Sequence, residues 1–416
     1  MSGVAIGIDI GTSGVRAALV DATGAAVAFA AAPIPPAARR DPQALWQAAG
    51  AVLAALGARA PLAAVRALAV DGTSGTVLPV DRAGTPLAPA SLYSDPAPPD
   101  ALARIAAAAP EDSAAHGAAS PAAKALAWQD HAGLAWVLHE ADWLAGRFCG
   151  RFGVSDENNA LKTGYDPRAR CWPAWLRTIG LEVARLPQVQ PPGAPLAPVR
   201  PEVAARFGLP AAILVVSGTT DGCAAFLATG ANAVGEGVTS LGSTLTIKLL
   251  SDRPVFAPRY GIYSHRLGDR WLPGGASNTG GAALARHFDP AALERLSAGI
   301  DPATASGLDY YPLPAPGERF PIADPAMPPR EDPRPAGEVA FLHGLLEGIA
   351  RIEALAYRRL AELGAPAVRS VRSVGGGAAN PAWTALRARH LGVPMLPPRA
   401  EEAAAGTAGL ALRGVG

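Results

Sequence analysis

Apolar runs of strand length alternate with turn residues through the first ninety positions. Val4–Asp9 reads as a buried strand and Val15–Asp21 as its partner, joined by the tight turn Gly11-Thr12-Ser13-Gly14. A second turn, Asp21-Ala22-Thr23-Gly24, feeds a third apolar run, Ala25–Ala31, so the pattern predicts a three-stranded meander. Asp41-Pro42 supplies an N-cap and a first-turn proline for an amphipathic helix carrying Leu45, Ala49, Val52 and Leu56. Val65–Asp71 returns as a strand, and Val77–Asp81 followed by Arg82-Ala83-Gly84 opens another hairpin.

The middle of the chain has helical patterning. Pro121–Asp130 and Gly133–Cys149 suit helices, whereas Pro191–Pro201 holds five prolines and reads as a loop. Ala211–Ser217 is a short apolar strand that ends at Gly218-Thr219-Thr220-Asp221-Gly222, with a helix expected from Cys223 to Thr229. An internal echo follows. Gly11-Thr12-Ser13 leads through an apolar strand to Asp21, and Gly242-Ser243-Thr244 leads at the same spacing to Asp252. Two glycine-hydroxyl hairpins, one opening each half, fit a duplicated fold that grips phosphates. Further on, Val339–Leu363 carries apolar residues at the 3.6-residue period over about seven turns and is closed by Gly364. A strand, Val368–Val374, runs into Gly375-Gly376-Gly377-Ala378-Ala379-Asn380-Pro381, a helix continues through Arg387–Leu391, and a last helix is expected over Glu401–Arg413.

Composition narrows the class. The 416 residues suggest two or three domains, and with 50% hydrophobic and 17% charged residues the chain is globular. A net charge of +1 with no basic run offers no footprint for nucleic acid. The only lysines, Lys124, Lys162 and Lys248, follow no glycine-rich loop, which excludes a P-loop nucleotide site. Cys149, Cys171 and Cys223 cannot all pair and have no metal-ligand spacing, so a reduced compartment is expected. The N-terminus reads as no signal peptide, no run is long enough to span a membrane, and a soluble cytoplasmic protein is the expectation.

Phosphoryl transfer to an alcohol needs positioning, a metal, donors around the phosphates and one carboxylate to take the hydroxyl proton. Asp9, which ends the first strand, could hold Mg²⁺ or merely cap the turn. Gly11, Thr12 and Ser13, and Gly242, Ser243 and Thr244, offer N–H groups and hydroxyls to phosphates or simply make tight turns. Asp221 stands before a helix, where it could be a proton acceptor or, from position alone, an N-cap. Gly375–Gly377 lies too near the chain end for a dinucleotide fingerprint. It could floor an adenine, with Asn380 at its edge and Trp383 as a ring face, or open a helix over a buried Trp.

With Gly7-Ile8-Asp9-Ile10-Gly11-Thr12-Ser13, Gly218-Thr219-Thr220-Asp221, Leu241-Gly242-Ser243-Thr244 and Gly375-Gly376-Gly377 in order, the chain resembles the FGGY carbohydrate kinases over essentially its whole length. Within them it looks most like the short D-ribulose kinases, also described as xylulose kinase-like. Val70–Thr76, Asn158–Tyr165, Tyr263–Leu267, Gly274–Asn278 and Gly307–Pro312 continuing through Asp324 carry that similarity. The resemblance implies a two-domain actin/hexokinase-like (ribonuclease H-like) ATPase fold with an interdomain cleft. It implies a sugar-binding domain over 1–228, a nucleotide-binding domain over 229–416, and a last helix at about 402–416 packed back on the first. It further implies ATP and Mg²⁺ as cofactors, Asp221 as general base, and Asp9 with Thr12 at the transferring phosphate. Asp9, Asp71, Thr73, Ser74 and Asp221 would bind the sugar. Gly11, Thr12, Ser13, Gly242, Ser243, Thr244, Gly376, Gly377, Asn380 and Trp383 would bind the nucleotide, and Asp9 the metal. The chain departs from xylulose kinases, which carry Gln-Met-His-Gly where Gly72-Thr73-Ser74-Gly75 stands, and has Tyr93-Ser94-Asp95 in place of a Trp-x-Asp. D-ribulose is the expected acceptor, with D-xylulose, another polyol, or a non-catalytic sugar sensor as alternatives. No membrane or nucleic-acid partner is expected, and a homodimer is allowed.

Overall fold

A computed structural model of the chain describes residues 4–415. It resolves into two units. The first comprises Met1–Gly230, His265–Gly268 and Arg399–Gly416, and the second Ala231–Ser264 and Asp269–Pro398. No helix among the described residues is long and apolar enough to cross a membrane.

The first unit opens with β1 (Val4–Gly11), β2 (Gly14–Val20) and β3 (Ala26–Pro33), the meander that the turns predict. β4 (Val65–Gly72) follows, then β5 (Val77–Val80), β6 (Trp136–His139), β7 (Val154–Asp156), β8 (Gln188–Gln190), β9 (Pro195–Pro198), β10 (Leu214–Val216) and β11 (Thr219–Thr220). The main sheet has the order β3-β2-β1-β4-β10-β9, with β11 also on β4. β1 is antiparallel to β2 and parallel to β4. The Pro42–Gly57 helix covers one face with Leu45, Trp46, Ala49, Val52, Leu53 and Leu56 buried. Its start is fixed by Asp41, whose side chain accepts the Gln43 N–H, and by Pro42 at the first turn. On the other face the Ala403–Arg413 helix packs against β1 with no room to spare. A Cβ on Gly7 would stand 2.1 Å from the Ala404 carbonyl oxygen, and one on Gly406 would stand 1.9 Å from that of Ala224.

The second sheet comprises β12 (Glu236–Leu241), β13 (Leu245–Leu249), β14 (Tyr263–Leu267), β15 (Arg270–Ser277), β16 (Ser370–Val374) and β17 (Met395–Leu396), in the order β14-β15-β13-β12-β16-β17, and belongs to the second unit apart from His265–Leu267 of β14. A hairpin, β12 with β13, is again followed across the sheet by a parallel neighbour, β16. The Glu338–Glu362 helix buries Phe341, Leu342, Leu345, Ile349, Ile352 and Leu360, and Gly364 turns the chain at φ +104.

Four local expectations change. Gly133–Cys149 is not one helix: Trp136–His139 is a strand paired with β5, and the helix begins at Glu140. The Asp81 turn bridges Val80 to Pro86, but the regular partner of β5 is β6. The proline-rich segment 191–201 contains β9, an edge strand where missing N–H groups cost little. The helix expected from Cys223 starts at Asp221.

Candidate active site

The register of the first sheet brings the acidic positions together. Asp9 on β1 pairs with Asp71 on β4, and Asp71 pairs with Thr219 on β11. Asp221 follows β11 directly as the first residue of the Asp221–Ala228 helix, with Thr220 at the N-cap. Asp221 is therefore not the cap, and its Oδ1 accepts its neighbour Gly222 N–H at 2.7 Å. A carboxylate in a helix's first turn is favoured in its ionised form by the positive end of the helix. The turn that delivers it requires glycine at 218, because a Cβ there would lie 1.7 Å from the Val70 carbonyl oxygen.

Asp9 is 5% exposed and Asp71 wholly buried. The Arg16 Nη1 donates to Asp9 Oδ2 at 3.3 Å, from the residue opposite in the β1–β2 hairpin. Asp71 Oδ2 accepts the Thr407 hydroxyl, reached from the C-terminal helix, while its Oδ1 has no partner. Burial first, and then the Asp9 charge, push the Asp71 carboxyl well above the ordinary carboxylate range. This corrects the expectation that Asp71 touches the sugar: with no exposed surface it supports Asp9 from beneath. Magnesium takes one or two carboxylates and keeps most of its waters, and Asp9 fits as that single anionic ligand. Among the described residues no group of three or more His, Cys, Asp or Glu could cage an ion.

The loop after β4 is held from several sides. Thr73 Oγ1 donates to the Ile10 carbonyl at 3.2 Å, so its proton is used within the protein; it ties two strand ends together. Ser74 differs, because its Oγ is buried without a partner, while Lys162 Nζ reaches the Ser74 carbonyl at 3.5 Å. Beside this loop, Arg39 grips Glu140 bidentately at 2.8 and 2.9 Å, and both are buried. Burial raises Glu140 to about 7, although the Arg39 fork pulls the other way, and Asp221 adds to the rise. Asn158 Nδ2 donates to Thr219 Oγ1 at 3.0 Å and Asn159 Nδ2 to the Thr219 carbonyl at 3.2 Å, which fixes the approach to Asp221.

In the second unit, Gly242, Ser243 and Thr244 form the β12–β13 turn. Its carbonyls are tied down by the Gly281 N–H (2.8 Å, to Gly242) and the Ala282 N–H (3.0 Å, to Ser243). The Thr12-Ser13 tip of the first unit and Gly242-Ser243 here are exposed. At Gly375-Gly376-Gly377 the glycines divide their work. Gly376 faces open space, whereas a Cβ on Gly377 would stand 2.4 Å from the Trp383 ring. Trp383 is 2% exposed and lies in the core, which corrects its reading as a ring face for a base: it props Gly377 from below. Asn380 caps the Pro381–Leu391 helix by accepting the Trp383 N–H at 3.0 Å and donates to Ser297 Oγ at 2.8 Å, so both ends of its amide are engaged.

Family models decide between a general ATPase fold and a particular lineage. The N-terminal domain of the FGGY family of carbohydrate kinases matches residues 4–113, and its C-terminal domain matches residues 237–415. The chain belongs to the FGGY family of carbohydrate kinases. Its two units therefore have the actin/hexokinase-like fold of that family. Over 285 residues it is 28% identical to xylulose kinase of Escherichia coli, covering 64% of this chain and 58% of that one, so it matches under three fifths of that relative's length. Among solved structures, a "xyloylose kinase" from Brucella ovis superposes with a TM-score of 0.86 at 25% identity, covering 99% of this chain and 90% of that one. A xylulose kinase from Rhodospirillum rubrum gives 0.84 at 26% identity, with the same coverages.

Within this FGGY chain, Arg16, Arg39, Glu140 and Thr407 were not anticipated. Arg16 was readable, since a hairpin closing at Gly11 and Gly14 puts residue 16 opposite residue 9. The other three act across 101 and 336 positions, which no local pattern records.

Proposed function

We propose that this protein is an ATP-dependent sugar kinase that transfers the γ-phosphoryl group to the terminal hydroxyl of a ketopentose. D-ribulose is the preferred acceptor and D-ribulose 5-phosphate the product. In this reading residues 1–228 handle the sugar, residues 229–416 the nucleotide, and the C-terminal helix returns to the sugar unit. The observation that carries it is the convergence of Asp9 and Asp221 at neighbouring strand ends, with Asp221 held at a helix start by Gly218 and the Asn158–Asn159 pair.

Asp221 takes the proton of the attacking hydroxyl as that oxygen bonds to the γ-phosphorus and the bond to the ADP oxygen breaks. Asp9 would hold Mg²⁺, which when bound would supply charge neutralisation at the phosphates. Exposed N–H groups and hydroxyls of Gly11–Ser13 and Gly242–Thr244 receive phosphate oxygens, and the open face of Gly376 receives the base.

The choice of D-ribulose rests on Ser74. Its unpaired buried Oγ is a ready partner for a sugar hydroxyl. A misplaced hydroxyl in an epimer leaves such a group unsatisfied, at about 1–3 kcal/mol. D-xylulose is the second reading, favoured by the xylulose kinases among the similar proteins. Coupled ADP release on a panel of ketopentoses and polyols tests both. The expected result is a kcat/KM for D-ribulose at least about tenfold above that for D-xylulose, narrowed in Ser74→Ala. An equal or reversed preference rejects D-ribulose, and no sugar-dependent ADP release rejects the kinase.

A further inference from the structure

The second unit holds a cavity of about 570 Å³, within the range of small-molecule sites. Arg259, Tyr260, Ala276, Asn278, Glu318 and Arg319 are among its walls. None of Gly242, Ser243, Thr244, Gly376, Gly377 or Asn380 lines it.

Its polar wall is built on a buried carboxylate. Glu318 is 2% exposed. Its Oε1 accepts the N–H groups of Asn278 at 2.8 Å and Arg319 at 2.9 Å, and its Oε2 accepts the Ser277 hydroxyl at 2.5 Å and the Tyr311 hydroxyl at 2.8 Å. The Asn278 side chain is fixed in turn, donating to the Gly317 carbonyl at 2.8 Å and accepting from Arg319 Nε at 2.7 Å. Arg319 thus spends Nε on orientation and keeps both Nη groups clear of protein acceptors among the described residues. The Arg259 guanidinium lies 5.6 Å from the centre of the Tyr260 ring and has no carboxylate partner among the described residues. Glu318 is fully occupied by four donors, while two guanidinium groups on the same cavity lack anions.

A single carboxylate would satisfy one such fork. A phosphate monoester brings close to two negative charges and three acceptor oxygens, which suits two, and Ala276 with the Tyr260 ring offers apolar surface to the ester's carbon chain. We propose that this cavity is a second ligand site, separate from the nucleotide turns, that binds a phosphate monoester through Arg319 and Arg259. The phosphoryl group could belong to a sugar phosphate or to free phosphate. The sugar-phosphate source rests on the kinase reading, whereas the site itself does not.

Calorimetric titration of the full chain tests the site, using inorganic phosphate and D-ribulose 5-phosphate as probes in the presence of a saturating, non-hydrolysable ATP analogue with Mg²⁺. At least one probe should bind. Arg319→Gln should weaken it by about tenfold or more, and the Arg259→Gln/Arg319→Gln double variant should abolish the contribution of this site. Both arginines are exposed, so the variants should melt like the parent protein. Tighter binding of the ester names a sugar phosphate as the source, and equal binding names free phosphate. Either result upholds the site even if no sugar is phosphorylated. Absence of heat from both probes, or unchanged binding in the double variant, overturns it.

Discussion

The two units share a hairpin flanked by a parallel strand, yet they treat the polar pairs bridging those strands in opposite ways. Two residues before its turn the first unit has Asp9 beside Asp71 on the parallel neighbour, whereas the second has Thr239 beside Ser373, three residues before its turn. In the second unit those hydroxyls are absorbed into a closed network. Thr239 donates to Glu353 at 2.5 Å, Arg387 grips Glu353 at 2.6 and 2.8 Å, and Arg387 also donates to Ser373 at 2.8 Å. Glu353 and Arg387 have no exposed surface. In the first unit the pair is two carboxylates with one oxygen unpaired. A buried polar pair that is fully satisfied specifies the core, whereas one left incomplete costs stability.

The largest effect that sharpens this contrast belongs to the second unit. Glu353→Gln leaves Arg387 buried without a counter-charge and should cost about 3–5 kcal/mol of unfolding free energy. Chemical denaturation measures this, and the variant that remains folded should keep its kcat. Next is Glu140. Its folded value of about 7 lies above its ordinary 4.5, so between those values the native state holds a proton that the unfolded chain releases. The contribution is full below about pH 4.5 and lost as pH rises through 7, so the stability of the parent relative to Glu140→Gln should fall by about 3 kcal/mol from pH 4 to pH 8. A flat difference would mean that the Arg39 fork keeps Glu140 ionised throughout. The smallest change should come from Asp71→Asn. The substitution keeps an acceptor for Thr407 and resembles the protonated acid that burial and the Asp9 charge favour, so stability should shift by about 1 kcal/mol or less. A loss as large as that of Glu353→Gln would erase the distinction between the two units.

Local signals in the sequence carried much of this fold. Asp9, the Gly11–Gly14 turn and its echo at Gly242 were readable because a hairpin is written in adjacent residues, and the Glu338–Glu362 helix because its apolar stripe repeats over seven turns. Trp136–His139 was not, since an apolar run leading into Glu140 without a breaker looks helical until β5 claims it. Trp383 was misread for a related reason: an aromatic one turn after a glycine cluster looks available, and only the packing of Leu241 and Gly377 shows it as core. The supports of the candidate site, Thr407 under Asp71 and Arg39 on Glu140, arise from tertiary pairing and leave no periodic trace.

Asp221, at the start of its helix, is proposed to take the proton from the acceptor sugar. Steady-state kinetics of Asp221→Asn, with ATP and sugar varied separately, test it most directly. The account predicts a kcat lowered by about 10²–10⁴-fold, with the KM for ATP little changed. Near-normal turnover in that variant would contradict it.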